Sequence, residues 1–278
     1  MKDYPHIVSQ VYSGIWCILP ETFQAIESTL RTHMNGYPGQ VVALDAAKQE
    51  KKPMMRMNAG QGIGVLSVEG ILGKRLSSLE TLCGGVDVND VVNAARTLAA
   101  DPKVGTIVMD ISSPGGVVTG IPEAYSALCQ IAKDKTLIAY SDTQMCSAAM
   151  WLGAAAHSRY CARSADLGSI GVYTVQLDKS KQLENAGVNV QAVQAGKYKT
   201  AGAPWRPLTA EERALIQSRV DDVYKNFTDA MRAACPGVSD DTMQGQVFRG
   251  PRAVEAGLAD GTYDSLDDLI AALLDTQR

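Results

Sequence analysis

Residues 144–156, QMCSAAMWLGAAA, set a serine beside a cysteine in the least polar run of the chain. A hydroxyl in such surroundings must be hydrogen-bonded or it costs free energy. The pattern places Ser147 after a strand ending near Tyr140 and a short loop, at the start of a helix. A serine there is commonly an N-cap. A strand–turn–helix junction is also where nucleophilic serines stand exposed above a sheet. The GxSxG pattern of the usual α/β-hydrolase elbow does not occur here.

A nucleophilic serine needs a base. His157 follows ten residues later, about 15 Å along a helix axis and too far to serve. His6 and His33 fall in the N-terminal part. Lysine is the remaining candidate, and residues 193–209, VQAGKYKTAGAPWRPLT, supply Lys197 and Lys199. Thr200, Ala201, Gly202 and Ala203 surround Lys199 with small side chains, and Trp205 is near in sequence. Moving a lysine from its free pKa of about 10.4 to about 7 takes roughly 4 to 5 kcal/mol. Desolvation in an apolar pocket supplies such a shift. Two ordinary solvent-facing lysines are the plain alternative.

Two further stretches carry chemistry. In DISSPGGVVTG, 110–120, a buried strand ends at Ile111, and Pro114, Gly115 and Gly116 are expected to turn before a helix. Glycines there admit positive φ and leave backbone N–H groups unobstructed, with the helix dipole behind them. An oxyanion hole or anion nest is built this way; a tight strand–helix turn alone has the same sequence. In SADLGSIGVYT, 164–174, Gly168 and Ser169 precede an expected strand. The Ser169 hydroxyl is either a partner that aims a neutral lysine amine or an ordinary turn residue.

The elements that must hold these residues alternate. GIGVLSVEG, VGTIVMDI and TLIAYS read as strands; VNDVVNAARTLAAD and TGIPEAYSALCQIAK read as helices between them. GVYTVQL and NVQAVQAG read as later strands, flanking a helix from Asp178. A long helix runs from Thr209 to about Ala234, with Thr209 and Glu212 as a capping box. DSLDDLIAALLD closes the chain as a short amphipathic helix. Such alternation predicts an α/β fold with a mostly parallel sheet. Residues 1–60 read as an N-terminal extension with one helix, LPETFQAIESTL, and a polar linker over 45–62; residues 61–278 form the main domain.

The 278 residues are 46% apolar and 20% charged, values typical of a globular chain able to bury its own core. The net charge of −4 argues against a nucleic-acid partner, and the lysines around 48–52 read as a solvated loop. Six cysteines, at 17, 83, 129, 146, 161 and 235, form no CxxC pair, and the three histidines have no ligand spacing. No zinc site, other metal or cofactor is expected, and a reducing compartment fits best. MKDYPHIVSQ lacks the apolar stretch of a signal peptide, and the most apolar run spans about nine residues where a membrane span needs about 20. A cytoplasmic protein without a membrane anchor is expected.

Taken in order, SPGG, a serine at a helix start, GSIGV and GKYK resemble the signal peptide peptidase A family of Ser/Lys serine peptidases. The resemblance runs from about residue 62 to about residue 260 and includes GQVFRGPRAVEAGLAD, 245–260, which matches a late signature of that family. It implies the ClpP/crotonase fold, a spiral of βα units. It implies Ser147 as nucleophile, Lys199 as general base, Ser169 as the group that orients Lys199, and Gly115 and Gly116 as the oxyanion hole. The apolar surroundings of Ser147 would then be the dry pocket a lysine base requires. Membrane-bound members carry an anchor and long members carry two tandem copies; neither feature is found in this sequence. The segment GIWCILPETFQAIESTL resembles the phage branch, the capsid-assembly (prohead) proteases, with no scaffold segment expected after Arg278. That branch implies scaffold or capsid proteins as substrates and a homo-oligomeric ring. Two other readings share the fold: a crotonase-type acyl-CoA hydratase or isomerase, for which Glu123 is the carboxylate nearest the glycines in sequence, and a non-catalytic capsid-assembly protein.

Overall fold

The structure, a computed structural model, describes residues 11–12, 14–34, 54–58, 62–77, 80–81 and 84–276. In chain order the elements begin with β1 (Trp16–Ile18), α1 (Pro20–Met34), β2 (Met55–Asn58), β3 (Ile63–Glu69), β4 (Ile71–Gly73), β5 (Gly85–Asp87) and α2 (Val88–Ala100). They continue with β6 (Thr106–Ser112), β7 (Gly115–Val117), α3 (Ile121–Ile131), β8 (Thr136–Ser141), β9 (Gln144–Cys146), α4 (Ala148–Gly153), β10 (Ser158–Cys161) and β11 (Asp166–Gly168). The last are α5 (Ser180–Asn185), α6 (Ala210–Ala234), β12 (Val247–Arg249), α7 (Pro251–Glu255), β13 (Gly261–Thr262) and α8 (Leu266–Thr276).

The central sheet has six strands in the order β13-β10-β8-β6-β3-β2. Every pairing in it is parallel except β2 with β3. β3, β6, β8 and β10 each give way within a few residues to a short strand outside this sheet: β4, β7, β9 and β11. After the first three of these excursions a helix, α2, α3 or α4, returns the chain to the next central strand. The chain thus advances one strand per turn, the expected spiral, with each unit carrying two or three strands instead of one. The outlying strands form two small sheets, β1-β7-β4-β5 and β12-β11-β9.

Local sequence explains the main elements. The first six residues of β3 are all buried, as a parallel strand covered on both faces requires. In α2, Val88, Val91, Val92, Ala95 and Leu98 repeat at helical spacing on the buried face. Asp87 caps that helix, accepting from Asn89 N at 2.9 Å. On the opposite face of the sheet, Leu269 of α8 packs with Ile63, Val108, Ile138 and Tyr140. The capping box of α6 is formed: Thr209 accepts from Glu212 N, and the Glu212 carboxylate accepts from Thr209 N at 3.0 Å.

Several expectations are corrected. The Gly115 and Gly116 region is the strand β7, not a turn. GVYTVQL forms no strand beyond a single bridge between Tyr173 and Trp16, and NVQAVQAG forms none. Residues 186–199 are exposed throughout, Val193 completely. A β-favouring sequence makes a strand only where a neighbouring strand takes its backbone hydrogen bonds, and among the described residues none pairs with these. Ser169 follows a strand, β11, instead of leading one. Of the linker expected over 45–62, residues 55–58 are β2; the lysines at 48–52 lie outside the described residues. Among the described residues no helix is long and apolar enough to cross a membrane.

Candidate active site

Ser147 joins β9 to α4, with φ 55° and ψ −119°. A non-glycine residue in that region carries strain of about 1–3 kcal/mol and persists only where its surroundings dictate it. Its backbone N–H donates to Gly168 O at 2.7 Å, and its carbonyl accepts from Trp151 N at 3.0 Å. All six residues of α4 are buried, and Trp151 stacks flat on Phe227 of α6 with ring centroids 4.8 Å apart. The serine side chain makes no capping hydrogen bond, so the ordinary N-cap role is not the one it fills. It is nevertheless almost wholly buried.

Gly115 stands directly against it, with Gly116 next along β7. Gly115 has φ 101°, and a Cβ there would lie 2.2 Å from Cys17 O, 3.0 Å from Ser147 Cβ and 3.1 Å from Ala148 N. A Cβ on Gly116 would lie 1.9 Å from Leu72 O. Only glycine fits at either position. The Gly115 N–H donates to Ser113 Oγ at 3.2 Å.

Gly168 and Ser169 close the other side. Ser169 has φ 50°, and its N–H donates to Gln246 O at 2.7 Å. The strand beyond, β12, pairs antiparallel with β11 in the register Gly168 with Val247. At the β12–α7 junction Gly250 sits where a Cβ would lie 2.1 Å from Arg163 O. The GQVFRG stretch therefore braces the Gly168–Ser169 edge.

The structure brings Ser147, Gly115, Gly116 and Ser169 into one place. It does not bring Lys199 there. Lys199 lies in an exposed turn, its backbone N–H donating to Gly196 O at 3.1 Å. Lys197 is ion-paired with Glu211 at 2.6 Å, which pushes its pKa up and keeps it charged. A concavity of about 320 Å³ lined by Leu183, Val188, Val190 and Trp205 lies on this lysine-bearing segment, and Ser147 is not among its walls. His157 Nδ1 lies 3.1 Å from Leu137 N, which ties the ring to the start of β8. Glu123 is exposed in the first turn of α3.

Two thiols flank the serine, and neither is a ready nucleophile. Burial, aided by the Asp166 carboxylate, pushes Cys146 up to about 12. Burial also pushes Cys17 far up, and its contact with Ser147 offsets this only in part. Cys17 belongs to β1, a strand not among those expected from the sequence. β1 runs antiparallel to β7, with Cys17 opposite Gly116, and Trp16 bridges to Tyr173 on its other edge. The available signal was the β-favouring triplet Trp16, Cys17 and Ile18 shortly before Pro20.

Residues 130–277 match Peptidase family S49. The chain is 31% identical over 209 residues to "Capsid assembly protease C" of Escherichia phage lambda, covering 74% of this chain and 47% of that protein. It is 31% identical over 220 residues to "Head-tail preconnector protein GP5" of Enterobacteria phage P21, covering 78% and 44%. The chain thus spans about half the length of the curated relatives it matches. Among solved structures, a ClpP1 mutant from Listeria monocytogenes superposes with a TM-score of 0.46 at 14% identity, covering 74% of this chain and 94% of that one.

Proposed function

The chain belongs to peptidase family S49, and from that premise we propose that it is a serine endopeptidase in which Ser147 is the nucleophile and Lys199 the general base. Residues 61–278 form the peptidase domain and residues 1–60 its extension. Ser147 Oγ attacks the scissile carbonyl while the neutral Lys199 amine takes its proton. Backbone N–H groups of Gly115 and Gly116, released from Ser113 Oγ and from the Cys17 carbonyl, receive the developing oxyanion. The lysine ammonium then protonates the leaving amine, and water hydrolyses the acyl-enzyme with Lys199 again as base. Ser169 orients the lysine.

The observation that carries this reading is the strained backbone of Ser147, held against Gly115 by fully buried structure. The serine side chain makes no capping bond that would offset that strain. Lys197 is disfavoured as the base because Glu211 holds it charged. Exposure of Glu123 gives no support to crotonase chemistry.

Lys199 reaches Ser147 from a neighbouring copy in a homo-oligomeric ring. Its exposure, and that of residues 186–199 around it, support this arrangement. A neighbour's surface would also supply the desolvation that lowers a lysine pKa. The names of the phage relatives support a role in head maturation in the host cytoplasm or the prohead, with scaffold or capsid proteins as substrates. Casein cleavage together with labelling by a fluorophosphonate tests the chemistry. The label should map to Ser147, and a Ser147→Ala chain that still cleaves at the wild-type rate would remove the assignment.

A further inference from the structure

β1 lies where an extended peptide would have to lie to meet Ser147. Its hydrogen bonds to β7 include Leu19 N to Pro114 O and Val118 N to Ile15 O, both 3.1 Å. Antiparallel alternation then makes Cys17 and Gly116 a hydrogen-bonded pair, so the Gly116 N–H faces the Cys17 carbonyl. That carbonyl oxygen and Ala148 N both lie against Gly115, 2.2 and 3.1 Å from where a Cβ there would stand. On the far edge Trp16 N donates to Tyr173 O at 2.9 Å and Tyr173 N to Trp16 O at 3.1 Å. The triplet is therefore sandwiched between two backbone edges, as in peptide recognition by strand addition.

The side chains follow the two-residue period of a strand. Trp16 and Ile18 enter an apolar cluster with Phe23, Leu30 and Val117. Cys17 points the other way, onto Ser147. We propose that β1 is an internal inhibitor: it occupies the peptide-strand slot with the Cys17 carbonyl in the oxyanion position, and must be displaced before a protein substrate can reach Ser147. The inference rests on Ser147 as nucleophile. The seating is imperfect in a way that suits displacement: Trp16 Nε1 and the Tyr173 hydroxyl are buried without hydrogen-bond partners among the described residues. Unsatisfied buried donors weaken the packing that apolar area alone would give.

A reversible lock tests this on the full chain. Trp16 and Val117 are register partners of the non-hydrogen-bonded kind, with Cα atoms about 4.5 Å apart, within disulfide reach. In the double variant Trp16→Cys/Val117→Cys, the oxidised form should react with fluorophosphonate at Ser147 and cleave casein at least tenfold more slowly than the same sample after reduction. Equal rates in the two forms, with the cross-link confirmed by mass, overturn the inhibitor. The single variant Trp16→Ala, without a cross-link, should label faster than wild type by tenfold or more, and its Cys17 should be alkylated faster by iodoacetamide. Faster alkylation of Cys17 with unchanged or slower labelling of Ser147 would make β1 a structural wall and end the proposal. If no form, wild type included, labels at Ser147 while Cys17 alkylation responds as stated, it is the nucleophile assignment that fails, and inhibition falls with it.

Discussion

Ser147 and Lys199 differ in how they are held, and the difference sets what each substitution does. Ser147 is fixed by buried backbone on every side, so Ser147→Ala should leave the fold intact and remove hydrolysis. Loss of a nucleophile or its base costs several orders of magnitude in rate, about 4 kcal/mol or more of transition-state stabilisation. Lys199→Ala should show a similar loss, measured as casein cleavage at matched concentration. Lys197→Ala should lose far less, because its partner is Glu211 on the surface; equal losses would reopen the choice of base. The pH profile belongs to the same residue. A base that works only when neutral gains activity as it deprotonates, so kcat/KM should rise through about pH 7 to 9 as a single titration. A rate that falls over that window points to another base.

At the scale of elements, α6 carries a titration that reports on the fold instead of the chemistry. Glu212 is held at about 2, first by its hydrogen bonds from Arg206 and then by the Thr209 backbone N–H. A carboxyl depressed below its ordinary value of 4.5 stabilises the fold above that value, and the contribution is lost as pH falls towards 2. Thermal denaturation should therefore separate wild type from Glu212→Gln at pH 7, with the gap closing between about pH 4.5 and 2. A gap that is constant with pH would place the effect in packing. This capping box was legible in the sequence, as were β3, β6 and β8 of the central sheet and α2, α3 and α4, because their signals are local: period, caps and apolar runs. β1 was not, since its partners lie about a hundred residues away at 115–117 and nothing near Trp16 announces them. The strands expected at GVYTVQL and NVQAVQAG failed for the complementary reason: the residues favour a strand, but among the described residues only Tyr173, against Trp16, meets a strand edge. The two lysines of GKYK look alike locally; Glu211, a dozen residues on, is what tells them apart.

For the whole molecule, the shared site makes a quantitative claim. If Ser147 and Lys199 of one site come from different copies, a head-to-tail contact repeats until the ring closes. Equal mixing of Ser147→Ala and Lys199→Ala protomers, after dissociation and reassembly, then makes about one site in four whole and returns about 25% of wild-type activity. Verified mixed rings with no recovery would confine the dyad to a single chain. Val193, completely exposed on the segment before the lysine turn, offers a second handle. Val193→Asp should lower the oligomeric mass seen by light scattering and lower the activity with it, without loss of helical circular dichroism.

The three tryptophans divide among the parts that matter. Trp151 is buried beneath the serine, stacked on Phe227. Trp16 is buried in β1. Trp205 is half-buried beside the lysine turn. The molecule therefore carries its own optical labels. Trp205 should supply the red-shifted emission that iodide quenches first, and ring closure should shield it. Trp16 should be dark to iodide while β1 is seated and become quenchable when it leaves, so one emission spectrum, read with and without quencher, follows assembly and unblocking as separate signals.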